Sequence, residues 1–144
     1  MTSEASIDMD TLQFFAGHPA ALPLYEALES RPRTLFPQAR RRVQKTQITF
    51  HQRHVFLCVS CLRVKRKAEL PDPWLVVTLG LPYPLASGRV AARSEPYPGR
   101  WTTHIVVGAA EELDDELFSW VEESYAFSQL KRGGRYTEET EAFK

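Results

Sequence analysis

Two histidines and two cysteines lie within eleven residues of one another and invite a metal-binding interpretation. They are His51, His54, Cys58 and Cys61, and imidazole with thiolate is a usual ligand set for zinc. A zinc hairpin needs a turn between its two cysteines, but the intervening Val59 and Ser60 continue a β-type pattern without glycine. Residues three apart on a strand point to opposite faces. The sequence therefore predicts no metal site and no disulfide at this cluster, and no cofactor motif is found elsewhere.

Nucleophilic or phosphate chemistry finds equally little support. No serine stands in a Gly-x-Ser-x-Gly context, and the glycine-rich phosphate loops are absent. Cys58 could work with His54 or His104 only if the fold brought them together. Carboxylates crowd the start of the last predicted helix, where they complement its dipole; the alternative is a weak cation-binding face. An enzyme is thus the least supported class.

Basic residues offer a different chemistry, the binding of phosphate groups. The run Arg40-Arg41-Arg42 enters the first predicted strand, and the run Lys65-Arg66-Lys67 leaves the second. If these strands form a hairpin, both runs lie at its open end, where cations attract phosphates with salt-dependent affinity. Tyrosine and tryptophan near arginines in residues 83–101 would suit single-stranded nucleic acid or a nucleotide. The alternative is a charged rim that keeps the sheet edge soluble.

Polar residues of the strands could also line a shallow anion pocket. Lys45 and Gln47 share one face of the first predicted strand, and Arg100 and His104 belong to the last. A hydrogen-bonded structural network is the alternative. The predicted ligand-binding residues are Arg40, Arg41, Arg42, Lys45, Gln47, Arg53, His54, Arg100 and His104.

Helices and strands must position these side chains. Asp8 or Asp10 could cap a first short helix, and Pro19 opens a second, which Pro32 ends. Strands are predicted at 43–50, 53–62, 74–81 and 100–107, with a short one possible at 89–93 and loop through most of 81–99. Apolar residues at helical spacing predict a last helix from about Glu111 to a C-cap at Gly133.

This order of elements predicts an α+β fold: N-terminal helices, a mostly antiparallel sheet of four or five strands, and a C-terminal helix packed on the sheet. Residues 11–132 are expected to form a single domain between a disordered tail, 1–10, and a polar C-terminal tail, 133–144.

Charge is divided along the chain although the formal net charge is +0. Residues 31–67 carry 11 basic residues and no acid, whereas residues 105–144 carry 10 acids and four bases. If the acidic helix packs beside the basic segment, the two charges largely cancel. The chain has no apolar stretch of membrane-spanning length, and its N-terminus lacks the pattern of a signal peptide, so we expect a cytoplasmic protein.

Several stretches resemble a bacterial family of unknown function, DUF5655. They are Phe14 to Pro19, Lys45 to Phe50, Arg53 to Phe56, Trp101 to His104, and the helix from Leu113 through Trp120 and Tyr125. The resemblance covers about residues 12–128. It implies a small α+β domain of the frataxin-like kind and carries no established activity.

Two functions therefore stay open. The first is a binding module for a phosphate-bearing ligand, either nucleic acid or a nucleotide, which uses the basic surface. The second is a protein-interaction or accessory domain without catalytic activity, whose proline-rich loop at 82–99 or acidic helix meets a partner.

Overall fold

The computed structural model describes residues 8–130. Helices α1 (Met9–Phe14) and α2 (Leu22–Leu35) come first and helix α3 (Asp115–Ser128) comes last. Between them lie six strands: β1 (Arg40–Val43), β2 (Ile48–Gln52), β3 (His54–Ser60), β4 (Leu75–Leu81), β5 (Val90–Tyr97) and β6 (Arg100–Val107). Residues 1–7 of the predicted N-terminal tail, the predicted tail at 133–144 and the predicted C-cap Gly133 lie outside the described residues.

All six strands form one antiparallel sheet in the order β1-β2-β3-β4-β6-β5. The first four strands follow one another as neighbours. Strand β6 then fills the place beside β4, and β5 is left at the edge. A tight turn at Pro98 and Gly99 joins β5 to β6, and the Gly99 φ of 82° is the value that a type II turn requires at its third residue. The predicted α+β class, antiparallel sheet and C-terminal helix are confirmed.

The predicted strand count of four or five was too low, because residues 40–50 form two strands instead of one. The chain turns at residues 44–47, where the Gln44 N–H donates to the Gln47 carbonyl at 2.8 Å. This turn contains no glycine, proline or asparagine, so the usual turn signal is missing. Strand β5 also runs further than the predicted 89–93, and it tolerates Pro96 because it lies at the sheet edge.

Helices α1 and α3 each begin at an aspartate cap, whereas α2 follows Ala21 without a side-chain cap. Asp8 caps α1 by accepting from the Thr11 N–H at 2.9 Å, and Asp114 caps α3 by accepting from the Leu117 N–H at 3.0 Å. Helix α3 therefore starts about four residues later than expected. Pro32 does not end α2, which continues to Leu35 with the proline buried inside it. None of the helices in residues 8–130 has the length and apolarity needed to cross a membrane.

The hydrophobic core lies between the helices and one face of the sheet. Phe56 of β3 contacts both Phe36, which follows α2, and Tyr125 of α3, with ring centres 4.9 and 5.1 Å apart. Phe36 and Tyr125 also stack on each other at 4.6 Å. Both long helices therefore cover the same face of the sheet, which we call the helix side. The opposite face is called the polar side below.

Ser124 of α3 joins the helix directly to the sheet. Its hydroxyl donates to the Phe56 carbonyl at 2.6 Å and accepts from the Gly80 N–H at 3.0 Å. The β3–β4 pairing stops at Cys58 and Thr78, because Phe56 is the extra residue of a bulge in β3. The buried hydroxyl thus satisfies two backbone groups that the ladder leaves without a strand partner.

We predict that Ser124→Ala lowers the free energy of unfolding by about 1–3 kcal/mol, since it leaves two buried backbone groups unpaired. Urea unfolding followed by circular dichroism measures this. Ser119→Ala is the matched control, because the Ser119 hydroxyl bonds only to the Glu116 carbonyl on the exposed side of the same helix. Equal stability changes in the two variants would contradict the bridging role.

Candidate anion-binding site

Three consecutive arginines on the edge strand β1 divide between the two sides of the sheet. Arg40 pairs with His51 and Arg42 with Thr49, whereas Arg41 pairs with Phe50 of the core. Because side chains alternate along a strand, Arg40 and Arg42 lie on the polar side and Arg41 on the helix side. Arg40 and Arg42 are exposed, and Arg41 is half-buried.

Arg41 is held by partners from both N-terminal helices. Its Nη2 lies 2.7 Å from the carboxylate of Asp8, and its Nε lies 3.6 Å from Glu29 of α2. Its Nη1 donates to the Thr11 hydroxyl at 2.9 Å and to the Tyr25 hydroxyl at 3.4 Å. Arg41, predicted as a ligand-binding residue, is therefore committed to internal contacts.

Arg40 and Arg42 are in the opposite situation. Within residues 8–130, neither of them has a carboxylate at ion-pair distance. Both act on the neighbouring His51, whose pKa is lowered first by partial burial and then by the charges of Arg42 and Arg40. A local positive potential, uncompensated by nearby acids, therefore exists at this edge of the polar side.

A row of polar side chains continues from Arg42 across the polar side. The register places Thr49, Cys58, Thr78 and His104 next to one another on successive strands. The first three are buried and His104 is half-buried. The Thr78 hydroxyl lies 2.8 Å from His104 Nδ1, and burial lowers the pKa of His104 below its ordinary value of 6.5. At neutral pH the imidazole is therefore uncharged and can accept or donate one hydrogen bond through Nε2.

Thr102 adds a buried hydroxyl beside this row. It lies two residues from His104 on the same strand and pairs with Gly80. Its side chain is 5% exposed, and its Oγ1 has no hydrogen-bond partner in the described part of the chain. A buried hydroxyl without a partner is rare in folded proteins. Thr102 is thus a buried hydroxyl for which the described part of the chain offers no partner.

The remaining predicted residues are scattered. Lys45, in the β1–β2 turn, and Arg53, in the β2–β3 turn with a φ of 69°, are both exposed. Gln47 is buried, and its side-chain amide donates to Gln44 at 3.2 Å. His54 pairs with Gln52, whose side chain reaches Tyr125 of α3, so it belongs to the helix side.

Arg100 is a packing residue in this structure. It is only 4% exposed, and its guanidinium lies against Gly80 so closely that a Cβ there would come within 2.6 Å of Nη2. The guanidinium also lies 5.9 Å from the ring centre of Phe127. Arg100 is thus buried, while Arg40 and Arg42 stay accessible.

The two basic runs do not meet as the hairpin interpretation predicted. Arg40 pairs with His51 near the closed end of the β2–β3 hairpin, whereas Lys65 follows its open end. The reason is the unpredicted turn at 44–47, which makes β1 a third strand that runs back along β2. Only the Arg40–Arg42 run is placed beside the polar row.

The cysteines and histidines lie apart. Cys58 faces the polar side between Thr49 and Thr78, while Cys61 follows the end of β3 and packs against the core. No group of metal-binding side chains occurs in residues 8–130. Strand β4 separates Cys58 from His104 by two strand spacings, about 10 Å. Burial raises the pKa of both thiols, that of Cys61 to about 11, so neither is an activated nucleophile.

The carboxylates at the start of α3 form ion pairs with arginines from other parts of the fold. Arg89 bonds to Asp114 at 3.0 Å and to Glu116 at 3.1 Å, and Arg31 bonds to Asp115 at 3.1 Å. Arg31 is the one member of the basic segment at 31–67 that pairs with these acids within the described residues. The acidic helix therefore leaves the charges of Arg40 and Arg42 uncancelled.

Comparison with known protein families shows to which family the chain belongs. The family described as domain of unknown function DUF5655 matches residues 12–128, which include all of α2, α3 and the sheet. The chain belongs to the DUF5655 family. No curated protein and no solved structure matches it. The resemblance predicted from the sequence is confirmed for the family, and the frataxin-like comparison stays a prediction.

Sequence reasoning did not assign three residues to this candidate site. His51 was considered as a metal ligand or a turn residue, Thr102 only as part of the family resemblance, and Thr78 was not singled out. Strict alternation of polar and apolar residues was the available signal: Gln47, Thr49 and His51 alternate with Ile48 and Phe50. In β4 the signal is weaker, because Thr78 stands alone in an apolar strand.

We predict that the domain loses stability as the pH falls from about 7.5 to about 5. As the pH falls, His104 becomes protonated in the unfolded state first, because burial lowers its pKa in the folded state. The stability that the neutral imidazole contributes is therefore fully present above the ordinary pKa of 6.5 and is lost as the pH falls below it. His104→Gln should reduce this fall, measured as urea unfolding free energies at both pH values. An unchanged pH dependence in His104→Gln, with the wild type as reference, would show that this imidazole is not the group responsible.

Proposed function

We propose that this domain binds a phosphate-bearing ligand, a nucleic acid or a nucleotide, through the β1 edge of the polar side. Arg40 and Arg42 supply the charge, and His51 of β2 lies beside Arg40. Arg41 is not part of this surface. The single observation that supports the proposal is the absence, within residues 8–130, of any carboxylate paired with Arg40 or Arg42.

The position of these two arginines gives this observation its weight. Arg31, Arg33 and Arg66 each pair with one carboxylate, and Arg41 and Arg89 each pair with two. Other exposed cations also lack an ion pair within residues 8–130, namely Lys45, Arg53, Arg63, Lys65 and Lys67, but they lie in turns and loops, whereas Arg40 and Arg42 stand two residues apart on one strand. Exposed ion pairs form readily where acids are near, although each contributes little. Two arginines on the same side of one strand, about 7 Å apart along it, match the spacing of neighbouring phosphates on a single strand.

Arginine suits this role better than lysine would. Its guanidinium offers a planar set of donors that binds two phosphate oxygens at once. The neutral His104 lies further along the polar side on β6, four strand spacings or about 19 Å from β1. It could therefore meet a later nucleotide of an oligonucleotide, where it would hydrogen-bond without adding charge. The cytoplasmic location predicted from the sequence is part of this proposal, since such ligands occur there.

Edge protection is the competing explanation for the same residues. Charged side chains on an edge strand prevent pairing with another chain. Edge protection needs charge but no ligand, so a measurement of ligand binding distinguishes the two explanations.

Fluorescence anisotropy with labelled single-stranded and double-stranded oligonucleotides and a labelled mononucleotide tests the proposal. At about 50 mM salt, where electrostatic affinity is strong, we expect binding that weakens as salt rises. The double variant Arg40→Gln/Arg42→Gln should weaken binding at least tenfold. On a single strand the slope of log affinity against log salt should fall by about 1.4, the value for two phosphate contacts.

Lys65→Gln/Lys67→Gln is the matched control, because it removes the same charge from an exposed loop away from β1. It should leave the affinity within about twofold. No binding of any of the three probes at low salt would refute the proposal. Equal losses in the two double variants would show attraction by overall charge without a site.

A further inference from the structure

A second concave site lies on the helix side, behind β1. It is a pocket of about 340 Å³ between the end of α2 and strands β1 and β2. Arg41 lines it, whereas Arg40 and Arg42 face the opposite side of the sheet. The pocket therefore does not depend on the proposed phosphate site. Its volume is at the lower end of the range for small-molecule sites.

Apolar and charged side chains line this pocket in nearly equal parts. Pro32, Phe36 and Phe50 supply the apolar part. The Phe36 ring is fixed from behind, because it stacks on Tyr125 at 4.6 Å and contacts Phe56 at 4.9 Å. Phe36 is 6% and Phe50 is 4% exposed, so the rings offer a small preformed contact for the edge of another ring. A small ring is thus compatible with the apolar part of the walls.

The charged residues of the pocket are arranged around one carboxylate. Arg33 Nη2 lies 2.6 Å and Arg41 Nε lies 3.6 Å from the same oxygen, Oε2 of Glu29. Arg41 has further partners in Asp8 and Thr11. Arg33 shares Glu29 and has no other ion-pair partner within residues 8–130. Asp8 and Glu29 together balance the charges of the two arginines, and Arg33 differs from Arg41 in having a single partner among the described residues.

Arg33 is also the accessible member of the group. Its side chain is 54% exposed, whereas that of Glu29 is 12% exposed. Its Nε and Nη1 keep their N–H donors for a second anion, because the contact with Glu29 uses Nη2 alone. Glu29 repels a dianion more strongly than a monoanion, so a singly charged group fits best.

We propose that this pocket binds a small aromatic monocarboxylate. Its ring would lie against Phe36 and Phe50, and its carboxylate would bind Arg33 at the rim. Arg41, fixed by its internal partners, holds Glu29 in place and so sets the position of Arg33. Arg33 would use its Nε and Nη1 donors for the ligand, since Asp8 and Glu29 already balance the charges of the two arginines.

Phenylacetate is a suitable probe, because it combines one ring with one carboxylate. The full chain, labelled with ¹⁵N, is titrated to about 10 mM and followed by amide chemical shifts. We expect saturable shifts at residues 29–41 and around Phe50. Phenylacetamide, which lacks the charge, should bind at least tenfold more weakly.

Two variants locate the binding. Arg33→Gln should weaken phenylacetate binding at least tenfold, and the dispersion of the amide spectrum shows directly whether this variant is folded. Ala39→Phe should abolish binding by filling the pocket, since Ala39 lines it. Arg63→Gln is the control, because it removes an exposed cation from outside the pocket and should change nothing.

Three results would overturn the proposal: no saturable shifts, equal binding of phenylacetamide, or full affinity in Arg33→Gln. Arg40→Gln/Arg42→Gln should leave phenylacetate binding unchanged. Failure of the phosphate site and failure of this pocket can therefore be told apart.

Discussion

The arrangement of both candidate sites depends on one side chain, Arg41. It ties edge strand β1 to Asp8 at the start of α1 and to Glu29 of α2. Burial, and then the charge of Glu29, raises the pKa of Tyr25, so this hydroxyl stays protonated beside the guanidinium. Without Arg41, the buried hydroxyl of Thr11 and the carboxylate of Asp8 would lose this partner, and a buried polar group left unpaired costs more than loss of a surface ion pair. Arg41 thus fixes the orientation of β1.

Once Arg41 points to the helix side, the alternation of a strand decides where its neighbours go. Arg40 and Arg42 must face the polar side, next to the row that leads through Thr78 to His104. The same placement makes Arg41 one wall of the pocket behind the strand, where it holds Glu29 against Arg33. A run of three identical residues therefore has two chemical roles. The middle one is structural, and the outer two stay available to a ligand.

Much of the fold could be predicted from the sequence, because it follows from local patterns. The apolar run of β4 and the pattern of β6 each indicate a strand, and the acidic start of α3 indicates a helix. The turn at 44–47 could not be predicted, since its residues carry no turn signal, and missing it merged two strands and displaced the basic run. Burial of Arg100 against Gly80, and pairing of Arg41 with Asp8 across 33 residues, depend on tertiary packing. The sequence could identify the arginines as candidate ligand-binding residues, but it could not show which of them are buried in structural contacts and which are accessible.

The most direct test compares Arg41→Gln with Arg40→Gln/Arg42→Gln in urea unfolding, together with amide hydrogen exchange in β1 and β2. We predict that Arg41→Gln lowers the free energy of unfolding by at least about 2 kcal/mol and speeds exchange in these strands. The double variant should change stability by less than about 0.5 kcal/mol. If Arg41→Gln were as stable as the wild type, or if the double variant lost as much stability, the division of the three arginines between structure and binding would be wrong.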